Sequence, residues 1–418
     1  MKIFFSLVNI ITMILLCISP VPKTLSNGIY FDDNDPVLMK LGNDFYEIGL
    51  HKSNGGIQYI KDKATGSNIT GGNLNGCLWV VIFDYDPADY IESCQFWATG
   101  NNRFTYNWSA SNQQLTLNYI PDEEVSKTVA ASASITAYHD NAFDMQLTIT
   151  NHWGRRTEDI KFPADLVFVK ADINSALLPV LPGLMLKPEF FNQNNESIQF
   201  RYPGFPGGFS DYLSIALSTG SLAMYGQYDD TPLAPVKFGF DLKNCADVNS
   251  ACYTHNYYAS VADNATWTSP VIRIRTSNTH KESIMNFRED NLIDNSPSLK
   301  AKLKSYYNQA THLPMYKADT TKLERRFDQY ASLFSQIQQP GLLHVVAYQP
   351  KGMDEYHPDF LPPDALWGST EDMANMFTLA QSKGYLVMPY INPTFWDNES
   401  PTLLDLEPPL TITDIAAL

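Results

Sequence analysis

The densest run of chemically competent side chains is Gln349-Pro350-Lys351-Gly352-Met353-Asp354-Glu355-Tyr356-His357-Pro358-Asp359-Phe360-Leu361-Pro362. Acids, rings and an imidazole set between prolines have the composition of a pocket wall. A second run, Asn392-Pro393-Thr394-Phe395-Trp396-Asp397, places hydroxyl-binding Asn and Asp beside an aromatic ring. A Trp or Tyr face stacks on the C–H side of a sugar. Asp354, Tyr356, His357, Asp359, Tyr390, Asn392, Trp396 and Asp397 are therefore candidate substrate contacts. Cleaving a glycosidic bond needs two carboxyl groups, about 5–5.5 Å apart for retention and wider for inversion. Asp354 and Asp397 are the local catalytic candidates, with hydroxyl binding and loop capping as simpler roles. His357 suits ligand contact or turn packing, and Trp396 a stacking platform or core burial. His344, between apolar neighbours, reads as a core histidine. Asp229 and Asp230 read as an acidic turn, or as a projection towards the same pocket.

Both runs follow stretches that must be buried strands. Leu342 to Tyr348 and Tyr385 to Ile391 are apolar and β-rich apart from His344. Between them Ser369-Thr370-Glu371-Asp372 caps a helix with Met373, Met376, Phe377 and Ala380 as its stripe, and Lys383-Gly384 closes it. Buried strands joined by a helix predict a parallel sheet, whose working face lies at the strands' C-terminal ends. The loop from Gln349 to Gly368 is longer than packing requires, and such loops are usually functional or disordered.

The chain from about residue 28 to 280 has a different period. Phe143-Asp144-Met145-Gln146-Leu147-Thr148-Ile149-Thr150 alternates strictly, and His139-Asp140-Asn141 turns back to Ile135–Tyr138, which predicts a hairpin. Cys77–Tyr85, Gln114–Tyr119, Leu166–Lys170, Tyr212–Leu217 and Pro270–Arg275 supply further strands, so a sandwich or supersandwich is expected. From 281 to 340 the pattern turns helical. One helix is expected after Ser296-Pro297, with Leu299, Leu303 and Tyr306 as its stripe. A second is expected from Thr321, with Glu324 completing a capping box and Leu323, Phe327, Tyr330, Phe334 and Ile337 on one face.

Bulk properties bound the function classes. The 418 residues carry a net charge of −16 spread without blocks, which argues against nucleic-acid and membrane-surface roles. Met1-Lys2 followed by an apolar run to Ile18 reads as a secretory signal peptide ending near Ser26. Cys17 follows Leu15 and Leu16, which is poor context for lipid attachment. Cys77, Cys94, Cys245 and Cys252 remain after export and allow three pairings. The local one, Cys77–Cys94 and Cys245–Cys252, is expected because the last two flank a short polar loop. Asn68, Asn107, Asn195 and Asn264 are glycosylation acceptor sites, and Asn398 is weakened by Pro401. Gly204 to Gly208 lacks the Lys-Ser/Thr ending of a phosphate loop. No metal or organic cofactor is indicated.

Three stretches carry a family resemblance. The string from Tyr356-His357-Pro358-Asp359 through Gly384-Tyr385-Leu386-Val387-Met388-Pro389-Tyr390-Ile391-Asn392 to Trp396-Asp397 resembles the barrel entrance of certain glycoside hydrolases. Gly55-Gly56-Ile57-Gln58-Tyr59-Ile60-Lys61-Asp62 resembles the early hairpin of a galactose-mutarotase-like supersandwich. Tyr202-Pro203-Gly204, with Leu222 to Asp230, resembles one of its later strands and that strand's active-site-facing end. Endo-α-N-acetylgalactosaminidase-like proteins combine the two parts. The resemblance implies a β then α/β multidomain chain: signal peptide 1–26, β-supersandwich 27–280, helical linker 281–340 and the start of a (β/α)8 TIM-type barrel 341–418. It also implies a secreted O-glycosyl hydrolase or a fragment of one, with a non-catalytic carbohydrate-binding protein as the alternative. A full barrel takes about 250 residues. After Pro340 this sequence has 418 − 340 = 78, so the catalytic acids are expected on strands beyond these.

Overall fold

The computed structural model describes residues 28–83, 90–94, 103–122, 127–180, 183–193, 196–203, 207–227, 234–276, 279–293, 301, 306–337, 339–392 and 397–405. The expected signal peptide lies outside them. The protein is mostly β-sheet, with few helices. Tyr30–Asp32, Leu38–Gly42, Tyr46–His51, Ile57–Asp62 and Ser67–Thr70 form a five-stranded antiparallel meander. A ten-stranded sheet is centred on Val271–Thr276, Ala142–His152 and Thr128–Ala137. A seven-stranded sheet runs Ile198–Tyr202, Val236–Asp241, Ser250–Tyr258, Thr157–Lys161, Val80–Phe83 and Tyr90–Glu92, with Leu166–Val169 paired to Ser250–Tyr258 off that path.

The expected hairpin forms, with Ala137 opposite Phe143 and Ile135 opposite Met145. Its alternation buries Phe143, Met145, Leu147 and Ile149 in one large core shared with Trp79, Tyr253 and Tyr257. Each such side chain contributes about 1.5–3 kcal/mol. The local cysteine pairing is the one present, Cys77–Cys94 and Cys245–Cys252. Asn68, Asn107 and Asn264 are exposed, while Asn195 lies outside the described residues.

Helix α1, His280–Asp290, follows the last sandwich strand and is capped by Thr279 and Glu282 acting reciprocally. Its last residue ties it down: Asp290 accepts from Tyr225 Oη at 2.6 Å and pairs with Arg273 and Arg275 at 3.0 Å each.

The stretch read as a helical linker departs from expectation in two ways. Met315–Asp319 is a strand, paired in parallel with Leu342–Val346, which pairs in parallel with Leu386–Pro389. The helix expected from Thr321 is broken: Thr320–Leu323 makes one turn capped by the Asp319 side chain. Glu324 turns left-handed at φ 48°, and Tyr330–Gln336 starts afresh. Phe327, Tyr330 and Phe334 are nonetheless buried, as their spacing requires. Most of the helix expected after Ser296 lies outside the described residues.

Helix α2, Thr370–Ser382, forms as expected with Ser369 and Asp372 closing its capping box. It packs with Tyr330 and Phe334 on Ala318, Leu343 and Val345, making a second and much smaller core. Among the described residues the sheet is covered on this face only, which departs from the expectation of strands buried on both faces. Met315 and Met388, on the other face, are 62% and 38% exposed. His344 stands half-buried between them rather than in the core, its Nδ1 3.1 Å from the Met388 carbonyl.

Candidate functional site

The two candidate runs meet at the C-terminal ends of the parallel strands. Leu342–Val346 ends because Ala347 turns left-handed at φ 59°. Tyr348 Oη and Gln349 Nε2 then both donate to the Tyr390 carbonyl at 2.9 Å, and the Tyr390 N–H donates to the Val345 carbonyl at 2.7 Å. These bonds weld the root of the long loop to the end of the next strand. Beyond the weld, Lys351, Asp354 and Tyr356 have φ of 64°, 67° and 59°. Such backbone costs of order 1–3 kcal/mol per residue and concentrates at functional sites.

Asp354 is the focus. Its Oδ1 accepts from Tyr390 Oη at 2.5 Å and from Asn392 Nδ2 at 3.1 Å, and Asn392 Nδ2 also lies 3.3 Å from Tyr390 Oη. These donors hold the carboxyl below the usual carboxylate range, and the carboxylate in turn pushes the Tyr390 phenol up. Asp354 is 42% exposed, so the ionised group faces solvent.

Beneath it, His357 is fully buried, with Nε2 3.7 Å from Asp354 Oδ1 and its ring edge-on to Phe360. Among the described residues neither ring nitrogen has a hydrogen-bond partner. A buried polar group left so costs about 1–3 kcal/mol and calls for a reason.

The other two acids are engaged in holding the loop. Asp397 accepts from the backbone N–H of Tyr356 at 2.6 Å and of Glu399 at 2.8 Å, and these bonds lower its pKa. Asp359 accepts from Ser400 Oγ, Thr402 Oγ1 and the Thr402 N–H; burial pushes it up, but these donors win and hold it low. Lys351 pairs with Glu399 and sits 4.7 Å over the Tyr356 ring. A cleft of about 590 Å³ opens beside them, with Lys351, Tyr356 and Asp359 in its wall.

The structure thus brings Asp354, Tyr356, His357, Asp359, Tyr390, Asn392 and Asp397 together. Trp396 and Asp229 lie outside the described residues. Tyr348, Gln349 and Glu399 were not among the candidate contacts read from the sequence, although Gln349 opens the first run. Their signal was only position, at a strand end and beside Asp397. A larger cleft of about 680 Å³ lies between α1 and the sandwich, lined by Leu177, Tyr202, Phe209, Tyr212, Ile284 and Phe287. Its described wall carries no carboxylate.

A β-sandwich joined to parallel strands flanked by helices is a glycosidase-like fold, and solved structures bear this out. The chain is similar to the α-N-acetylgalactosaminidase NagBb from Bifidobacterium bifidum in its N-acetylgalactosamine complex, at TM-score 0.61 and 13% identity over 84% of this chain. The ligand-free form of that enzyme matches over 87% of the chain, also at TM-score 0.61 and 13% identity. The likeness is one of fold. The chain spans 58% of the complexed enzyme's length and 61% of the ligand-free one's. No protein-family model matches the chain, and no curated protein matches it in sequence.

Proposed function

We propose that this is a secreted carbohydrate-active protein, an O-glycosyl hydrolase or part of one, that holds a glycan at the C-terminal ends of its parallel strands. Asp354 carries the reading. An exposed carboxylate fixed by a phenol and an amide, on strained backbone at a strand end, is built to accept hydrogen bonds from sugar hydroxyls. Tyr356, Tyr390, Asn392 and, from sequence, Trp396 and Asp229 complete the contacts. The fold likeness to an α-N-acetylgalactosaminidase supports a galactose-type glycan as the first ligand to try. On this reading the three parallel strands are the opening of a (β/α)8 barrel, and the catalytic carboxylates stand on other strands. The two disulfides and the apolar N-terminal run support export, with Asn68, Asn107, Asn195 and Asn264 as acceptors of N-linked glycan.

A non-catalytic carbohydrate-binding role is the second reading. One observation favours it: Asp397, the other catalytic candidate, is committed to two backbone N–H groups. The test is hydrolysis of chromogenic α- and β-galactosides and N-acetylgalactosaminides by the purified chain, alongside glycan-array binding. Binding without turnover is expected, and Asp354→Asn should weaken it roughly 10–100-fold, the worth of a hydrogen bond to a charged group. Turnover abolished by Asp354→Asn would make that residue catalytic. Binding unchanged in the variant would remove the strand-end site.

A further inference from the structure

The outward face of the seven-stranded sheet carries a second site. Residues directly opposite one another across paired strands share a face. The register aligns Arg201, Lys237, Asn256, Lys161, Val80 and Glu92 in one row spanning six strands. The adjacent row is Tyr258, Asp159, Ile82 and Tyr90. The opposite face, with Val81, Ile160, Val236 and Tyr257, lies in the main core. Where the first row reaches Glu92 the surface hollows into a cavity of about 220 Å³, walled in part by Tyr90, Glu92, Lys161 and Asp165.

Among the described residues this face holds buried acceptors without donors. Asp165 is 6% exposed; its Oδ2 takes Lys161 Nζ at 2.9 Å, and its Oδ1 has no partner among the described residues. Asn256, 8% exposed, and Asp159 each have an unpartnered Oδ1. Burial pushes the Asp165 and Glu92 carboxyls up, and Asp159 up to about 6. Each unmet acceptor costs about 1–3 kcal/mol, and Asp165 Oδ1, whose residue lines the cavity, calls for a hydrogen-bond donor.

We propose that this face binds one neutral sugar unit of a glycan, independently of the strand-end site. Sugar hydroxyls donate to Asp165 and Glu92 and accept from Lys161, all in the cavity wall. The Tyr90 ring, 40% exposed, covers the sugar's C–H face. The cations Arg201, Lys237 and Lys161 on the same face disfavour a metal ion, and the carboxylates disfavour a polyanion. The cavity has room for a single ring.

Isothermal titration of the purified full chain with galactose, glucose and mannose, each in turn, tests this. Saturable binding of at least one is expected. It should persist in Asp354→Ala, which removes the strand-end contact, and weaken about tenfold or more when Tyr90→Ala or Glu92→Gln is added to that variant. Lys161→Met, in the cavity wall, stands in should either variant misfold. No saturable heat with any of the three sugars overturns the proposal. So does binding that survives the cavity substitutions, binding lost in Asp354→Ala, or saturable heat from calcium chloride alone. Loss in Asp354→Ala would assign the sugar to the strand ends, so the two sites fail separately.

Discussion

At the scale of single residues, burial decides what a side chain can be asked to do. Asp159 illustrates it: desolvation outweighs Lys237, Lys161 and Arg201 and raises the carboxyl from its ordinary value to about 6. A carboxyl whose folded pKa exceeds its unfolded one stabilises the fold at low pH and loses that contribution as pH rises through the folded value. Asp159→Asn is therefore expected to stabilise the protein by about 1–3 kcal/mol at pH 7 and hardly at all at pH 4, read by urea unfolding at both. Equal effects at the two pH values would mean that the carboxyl does not titrate differently on folding. Sequence could flag Asp354, because an acid among rings and prolines in an overlong loop stands out. It could not flag Asp159 or Asn256. Their meaning comes from residues between 80 and 258 brought into rows by pairing that local pattern does not encode. Nor could it tell that Asp397 and Asp359 spend their oxygens on the loop, since a capping acid and a ligand-binding acid look alike in a string.

At the scale of elements, what was legible is what forms locally. The hairpin of Thr128–Ala137 and Ala142–His152 follows from period-2 alternation around a turn, and α2 from its capping box, apolar stripe and terminal glycine. Met315–Asp319 escaped because five residues, two of them charged, make a strand only through parallel pairing with Leu342–Val346. The long helix expected from Thr321 failed because Asp319 starts the turn early and Glu324 leaves it left-handed. Helix α1 shows how an element is held when propensity does not suffice. Arg273, Arg275 and Asp290 have side chains only 14%, 10% and 11% exposed. Arg273 also grips Asp144 through two bonds of 2.7 and 2.9 Å. Removing the carboxylate leaves two nearly buried guanidinium groups short of charge, which in comparable networks costs about 3–5 kcal/mol. Asp290→Ala should lose about that much stability and speed amide exchange along α1, measured by hydrogen–deuterium exchange. A loss confined to a few tenths of a kcal/mol would mean that apolar contacts, such as Phe287 against Tyr212 and Tyr225, hold the helix alone.

At the scale of the whole molecule, the two parts differ in how much they bury. The sandwich encloses a continuous core from Met39 to Ile274, whereas the α/β part has a small cluster on one side of a three-stranded sheet. Parallel sheets are ordinarily covered on both faces, whereas among the described residues one face here is open, with Met315 and Met388 in contact with solvent. Stability follows buried apolar area less chain entropy, and both terms scale with the ordered residues. The α/β part, with much the smaller core, must therefore be the weaker. Calorimetry of the purified chain is expected to show two transitions, the lower belonging to the α/β part. Limited proteolysis between them should cut beyond Asp290 and leave a resistant sandwich. A galactose-type ligand that binds at the strand ends should raise the lower transition selectively, because only the state that binds is stabilised. A ligand on the outward sheet face should raise the upper one. One experiment thus separates the two sites by the part of the molecule each protects.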